Sequence, residues 1–282
     1  MERVVFVNGA PGFGCHEEAR ILGPVFAREG VRAEFWQEPS RHRSHGFPFK
    51  TEGAFCRALD SLQHRIEAGS QPVALLCHSL GIHLTLGVLA RGTRVSRVIA
   101  VAPAIPAFDV LMTVMHLACQ DLRADTPEIA DALQQQIDNT KTFFDPPMRR
   151  GMQLAFLDPF LLSHHWQNAA ALSSYVSGMS EQPDGGFDDE VYFAMLADLA
   201  SLPAPELGGE ARRTPVTVMF GERDPIVAPA AALASLQRHF EHLDVVTVAT
   251  AGHAAHLEHP VSTVRVALGT AGVADHLRGA AV

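Results

Sequence analysis

Six short apolar runs punctuate the chain: 3–8 (RVVFVN), 31–36 (VRAEFW), 72–77 (PVALLC), 97–102 (RVIAVA), 215–220 (PVTVMF) and 244–249 (DVVTVA). Each is rich in β-branched residues and apolar nearly throughout, as a strand buried on both faces of a parallel sheet must be. Between the runs, apolar residues fall at helical spacing. Phe55, Leu59, Leu62 and Ile66 form one stripe, with Thr51 as the expected N-cap. Strands alternating with helices predict an open α/β fold: a mostly parallel sheet of about six strands, flanked by helices and joined by right-handed crossovers.

The alternation breaks between about 104 and 210, where no strand pattern appears. Helical patterns fill the interval instead: FDVLMTVMHLACQDL, TPEIADALQQQIDNTKTFF, PPMRRGMQLAFL and DDEVYFAMLADLASL. Thr126 and Pro127 read as an N-cap followed by proline in the first turn. A helical block this long exceeds a crossover, so the expected organisation is a core of 1–103 and 211–282 with an inserted helical subdomain over 104–210.

Composition narrows the function. With 282 residues, 47% of them hydrophobic, the chain can bury a large core. Its net charge is −9 and it has no long basic block, so no nucleic-acid partner is expected. The loop RHRSHGFPFK, with Arg41, Arg43 and Lys50, reads as a solvated basic loop rather than an anion site. No run is long enough to span a membrane, and no charged leader precedes an apolar segment. A cytoplasmic location is expected. Cys15, Cys56, Cys77 and Cys119 show no CxxC pairing, which fits reduced thiols without structural zinc. His253, His256 and His259 recur every three residues and His164 adjoins His165. No HExxH or paired cysteine accompanies them, so neither a metal nor another cofactor is expected.

The glycine-rich loop after the first run, VNGAPGFG, raises the question of phosphate binding. A P-loop needs Lys and Ser or Thr after its last glycine, whereas Cys15 and His16 follow Gly14. A dinucleotide loop needs a different glycine order, although Glu34 stands at a tolerable distance. A stronger signal lies in LLCHSLGIHL. Ser79 there sits between a buried strand and a helix, in the pattern Cys77-x-Ser79-x-Gly81, close to the G-x-S-x-G nucleophile elbow. An activated serine needs a base, and the base an orienting acid. GERDPIV puts Asp224 beyond the run 215–220, and GHAAHLEHP puts His253 beyond 244–249. The competing readings are a helix N-cap for Ser79, an Asx turn with Pro225 for Asp224, and a surface imidazole for His253. Glu222, His256 and His259 are alternative partners. His78 and His83 read as packing residues.

These four pieces, VNGAPGFG, CHSLG, GERDPIV and GHAAHLEHP, resemble the α/β-hydrolase fold superfamily, in its capped serine-hydrolase form. The resemblance implies an α/β-hydrolase fold with 104–210 as its helical cap, and Ser79, Asp224 and His253 as catalytic residues. It implies an oxyanion hole from the amides of Ala10 and Leu80. Two positions depart from the pattern: Asn8 stands where many members have His, and Cys77 replaces the first elbow glycine. The expected activity is hydrolysis of an ester or thioester of a medium-sized, largely apolar small molecule, with Met112 and Trp166 of the cap contacting it. A lyase, cyclase or acyl transferase of a biosynthetic pathway, a non-catalytic binder and a nucleotide-dependent enzyme are the other readings. An acyl carrier and a second copy of the chain stay open as partners.

Overall fold

The computed structural model describes residues 3–40, 50–69, 71–181 and 187–270. Six strands form one sheet: β1 (Arg3–Val7), β2 (Arg32–Trp36), β3 (Val73–His78), β4 (Arg97–Val101), β5 (Val216–Gly221) and β6 (Leu243–Val248), in the order β2-β1-β3-β4-β5-β6. Every pairing is parallel, with Val7 opposite both Trp36 and Cys77. The apolar runs form strands because alternate residues enter separate cores on the two faces. Val5, Val7 and Leu75 join one apolar cluster, while Val4, Phe6 and Leu76 join the other. Full burial fails at both edges. β2 and β6 each expose part of their length, because an edge strand has a neighbour on one side only.

Helices α1 (His16–Arg28), α2 (Ala54–Glu67) and α3 (Gly81–Ala90) connect the first four strands. Phe55, Leu59, Leu62 and Ile66 are buried along α2 as the periodicity predicts. Thr51 is not its cap. The helix starts three residues later, after Gly53 at φ +66°, and its amides at Phe55 and Cys56 donate to the Asp198 carboxylate at 2.9 and 3.3 Å. The cap is therefore long-range and left no local signature.

Between β4 and β5 run α4 (Ala107–Asp125), α5 (Pro127–Asn139), α6 (Pro146–Ala155), a 3₁₀ turn (Leu161–His165), α7 (Ala169–Ser180), α8 (Asp189–Ser201) and α9 (Gly209–Arg212). Thr126 does occupy the N-cap position of α5, but its hydroxyl donates back to the Leu122 carbonyl. Helix α7 is absent from the sequence-based expectation, because AAALSSYVSGMS has no continuous apolar stripe. After β5 come α10 (Pro229–Leu236), α11 (Ala255–Glu258) and α12 (Pro260–Ala267). No helix among the described residues is long and apolar enough to cross a membrane. Arg41 and Arg43 of the basic loop lie outside the described residues.

The order places β1 between β2 and β3, so the chain reverses direction across the sheet there. In open parallel sheets, the crevice beyond the strand ends at such a point is where ligands sit. The segments leaving β1 and β3 are 8–14 and Ser79.

Candidate active site

Ser79 follows β3 with φ +48°, a left-handed conformation that a non-glycine residue adopts at a cost of about 1–3 kcal/mol. Its N–H donates to the Val101 carbonyl at 2.9 Å, and its carbonyl accepts from Ala104 N–H at 3.1 Å. The elbow and the β1 loop are pressed together at two glycines. A Cβ on Gly9 would lie 2.6 Å from His78 Nδ1 and 2.7 Å from Ser79 Cβ. A Cβ on Gly81 would lie 2.6 Å from the Asn8 carbonyl oxygen. Cys77 fills the remaining elbow position as a buried, neutral group, its thiol pushed up to about 12 by burial.

His253 and Asp224 arrive on the loops after β6 and β5, at the same sheet edge. Ser79 Oγ–H donates to His253 Nε2 at 3.0 Å, and His253 Nδ1–H donates to Asp224 Oδ2 at 2.9 Å. The His253 and Asp224 side chains are 2% and 1% exposed, so water hardly competes for this pair. Asp224 Oδ1 accepts from the amides of Ile226 and Val227 at 2.8 and 3.2 Å. Burial alone would push the Asp224 carboxyl up. His253 and the two amides outweigh it and hold the group below its usual value. Glu222, the alternative acid, instead accepts from Thr250 N–H at 3.1 Å on the exposed side of the turn.

Three further imidazoles surround this pair. His78 Nε2–H donates to the His253 carbonyl at 3.1 Å, and the rings of His78 and His165 lie 4.9 and 5.2 Å from that of His253. Burial holds His78 well below the usual imidazole range, and His165 and His256 at about 3. His78 and His165 are neutral neighbours packed against His253. His83 donates to the Ala104 carbonyl at 3.0 Å, a structural contact.

The β1 loop is braced from within. Asn8 Oδ1 accepts from Gly9 N–H at 2.6 Å, and its amide donates to the carbonyls of Phe13 and Gly14. The Glu38 carboxylate accepts from Gly12 N–H at 2.8 Å. Asn8 thus ties both ends of the loop, a task that its amide performs with donor and acceptor together. Ala10 and Leu80 both line the cavity beside Ser79, and neither backbone N–H donates to another group among the described residues.

That cavity holds about 280 Å³, just under the ~300 Å³ lower end of small-molecule sites. Its walls include Leu111, Val114, Phe156, Trp166, Tyr192 and Ile226. Met112, expected to contact substrate, does not line it; the side chain packs against the main apolar core. On α4 at 100° per residue, 110, 111 and 114 share the inward face and 112 turns away. Glu18 and Tyr175, which carried no sequence signal, and His165, read only against a metal site, also line the cavity. Only Tyr175 falls in a helix that lacked a pattern; the other two look like ordinary polar residues in sequence.

Glu258 fixes the His253 loop against the helical segment. Its Oε2 accepts from Gly252 N–H, and its Oε1 from the amides of Gln167 and Asn168, all at 2.6 Å. Asp121, Asp158 and His164 form one group among the described residues with metal-compatible spacing, their ligand atoms within 4.8 Å. His164 Nε2–H donates to Asp121 Oδ2 at 2.6 Å there, pinning the 3₁₀ turn to α4.

The alpha/beta hydrolase family model matches residues 4–266. A search of curated proteins finds no match. Solved structures agree in fold. The proline iminopeptidase-related protein from Thermus thermophilus superimposes with TM-score 0.63 at 18% identity, over 95% of this chain and 89% of that one. The 2-hydroxy-6-oxo-6-phenylhexa-2,4-dienoate hydrolase of a Rhodococcus species gives 0.57 at 15%, over 95% and 90%. A putative aryl esterase from Burkholderia cenocepacia gives 0.57 at 17%, over 95% and 91%. At these identities the likeness is one of fold.

Proposed function

Because the chain belongs to the alpha/beta hydrolase family, we propose that it is a serine hydrolase cleaving an ester or thioester of a medium-sized, largely apolar molecule through an acyl-enzyme. The observation that carries this reading is the continuous relay Ser79–His253–Asp224, with bonds of 3.0 and 2.9 Å. Ser79 Oγ attacks the carbonyl carbon while His253 Nε2 takes its proton. Asp224 keeps Nδ1 protonated and stabilises the imidazolium. The oxyanion enters the space before the Ala10 and Leu80 amides, which have no protein acceptor to give up among the described residues. His253 returns the proton to the leaving alcohol or thiol. Water then repeats the sequence on the acyl-enzyme and frees Ser79.

The strained Ser79 backbone supports this role, since a turn that exposes the hydroxyl is retained against its conformational cost. Residues 104–210 act as the cap: α4, α6, α7, α8 and the 3₁₀ turn all contribute walls to the cavity beside Ser79. Trp166 and Leu111 contact the substrate in this reading. Fold relatives include the putative aryl esterase above and a type II thioesterase from the borrelidin biosynthetic cluster.

A fluorophosphonate probe should label Ser79, and Ser79→Ala should lose on the order of 10³-fold or more of ester hydrolysis. Mass spectrometry of a quenched reaction should find the acyl group on Ser79. Turnover with no acylated serine would transfer the site to elimination or cyclisation chemistry, with His253 as base.

A further inference from the structure

The relay leaves a second set of buried polar groups in the same cavity without a task. Glu18, in the first turn of α1, is 2% exposed, and its Oε2 has no hydrogen-bond partner among the described residues. His256, in α11, is 1% exposed, and neither of its ring nitrogens has a partner among them. The Tyr175 hydroxyl of α7 lies against the Glu18 carboxyl. All three side chains line the cavity that contains Ser79. A buried polar atom left unmatched forfeits its hydration without return, and folded proteins leave few of them. Two elements, α1 and α11, present such atoms in the wall of one cavity, with Tyr175 of α7 beside Glu18, which is the arrangement of a site whose partner arrives with the ligand.

The chemistry of that partner follows from charge. Burial pushes the Glu18 carboxyl up to about 8, so it is protonated at neutral pH. His256 is held near 3, again by burial first, and is neutral. An anionic group would meet no cation here. An ammonium would require Glu18 to ionise inside an apolar wall. A plain alkyl end would leave the orphan atoms unmatched. A neutral imidazole offers one N–H and one lone pair, and a protonated carboxyl one O–H and one carbonyl oxygen. A hydroxyl, which both donates and accepts, suits the Glu18 carboxyl and one His256 nitrogen.

We propose that Glu18, Tyr175 and His256 form a recognition subsite for an uncharged hydroxyl of the substrate, so that the preferred ester or thioester is a hydroxylated one. This rests on the serine-hydrolase reading of Ser79 and names its substrate class. The His256 ring lies 4.2 Å from that of His78, tilted by 41°, and the His78 ring in turn lies 4.9 Å from that of His253. The hydroxyl is therefore carried several bonds away from the reacting carbonyl.

The test pairs p-nitrophenyl hexanoate and octanoate with their 6- and 8-hydroxy derivatives, and with the terminal amino and carboxylate analogues. In the wild type, kcat/KM should favour the hydroxylated member by about tenfold or more. The ratio should collapse toward one in Glu18→Leu and in His256→Phe, and survive in Glu18→Gln, which stays uncharged and keeps a donor and an acceptor. Calorimetric binding of the same pairs to Ser79→Ala reads recognition without turnover. A ratio of one in the wild type, with Ser79 still labelled by fluorophosphonate, overturns the subsite and leaves the hydrolase reading intact. A preference for the amino analogue also overturns it, in favour of an ionised Glu18. Selective binding to Ser79→Ala alongside an unlabelled, inactive wild type would uphold the subsite and remove the hydrolase reading.

Discussion

Replacing Glu258 separates stability from catalysis in a way that the structure makes quantitative. One carboxylate accepts three backbone amides at 2.6 Å: Gly252 on one oxygen, Gln167 and Asn168 on the other. Hydrogen bonds to a charged group contribute about 1.5–3 kcal/mol when shielded. Partial exposure brings these nearer ~1 kcal/mol each. Glu258→Ala should therefore lose about 3 kcal/mol, which for a chain of this size lowers Tm by about 6–12 °C. Glu258→Gln retains one oxygen. Its best orientation keeps the Gln167 and Asn168 bonds and turns the amide nitrogen toward Gly252 N–H, donor against donor. That single mismatch should cost about 1–2 kcal/mol. It falls next to His253, so kcat should drop about tenfold to a hundredfold through misplacement of the base. Differential scanning calorimetry and p-nitrophenyl ester kinetics on both variants read the two effects. An alanine variant within about 1 °C of the wild type would refute the additive reading of the three bonds. A glutamine variant with unchanged kcat would refute the link from Gly252 to the base.

Asp224→Asn should lower kcat about 10³–10⁴-fold, since the amide presents a donor to His253 Nδ1–H; steady-state kinetics within about tenfold of the wild type would remove Asp224 from the relay. Gly9→Ala should lose on the order of 10²-fold in kcat while its circular dichroism is unchanged, because the new methyl meets His78 at 2.6 Å and Ser79 at 2.7 Å. Full activity would contradict that close approach. The folded chain keeps a proton on Glu18 that the unfolded chain releases above 4.5. Stability should thus fall as pH rises from there toward about 8, by up to about 1.4 kcal/mol per pH unit. Urea unfolding of Glu18→Gln should show a shallower pH slope than the wild type, and equal slopes would mean that Glu18 is ionised when folded.

The sheet was legible because both faces are buried: β-branched runs near 5 and 99 have no other stable home. The meeting of Ser79, Asp224 and His253 was legible because each follows such a run at the same edge. Local signals failed where the partner is distant in sequence. Asp198, rather than Thr51, caps α2 from 143 positions away. The phase of α4 is also invisible in a helix apolar on several sides, so Met112 looked as suitable as Leu111. Glu18, Tyr175 and the place of His256 in the cavity wall were illegible for a deeper reason. Polar residues are ordinarily read as exposed, and their burial depends on α1, α7 and α11 converging.

Ser79 and His253 stand 174 positions apart in the chain. A ribosome adding about 5–20 residues per second needs on the order of 10–35 s to travel between them. During that interval the emerging polypeptide has its hydroxyl elbow but no imidazole to activate it. β5, β6 and the loop carrying His253 have yet to dock. Under the proposed mechanism the relay is thus completed last, and a chain stalled short of His253 carries the serine without its base.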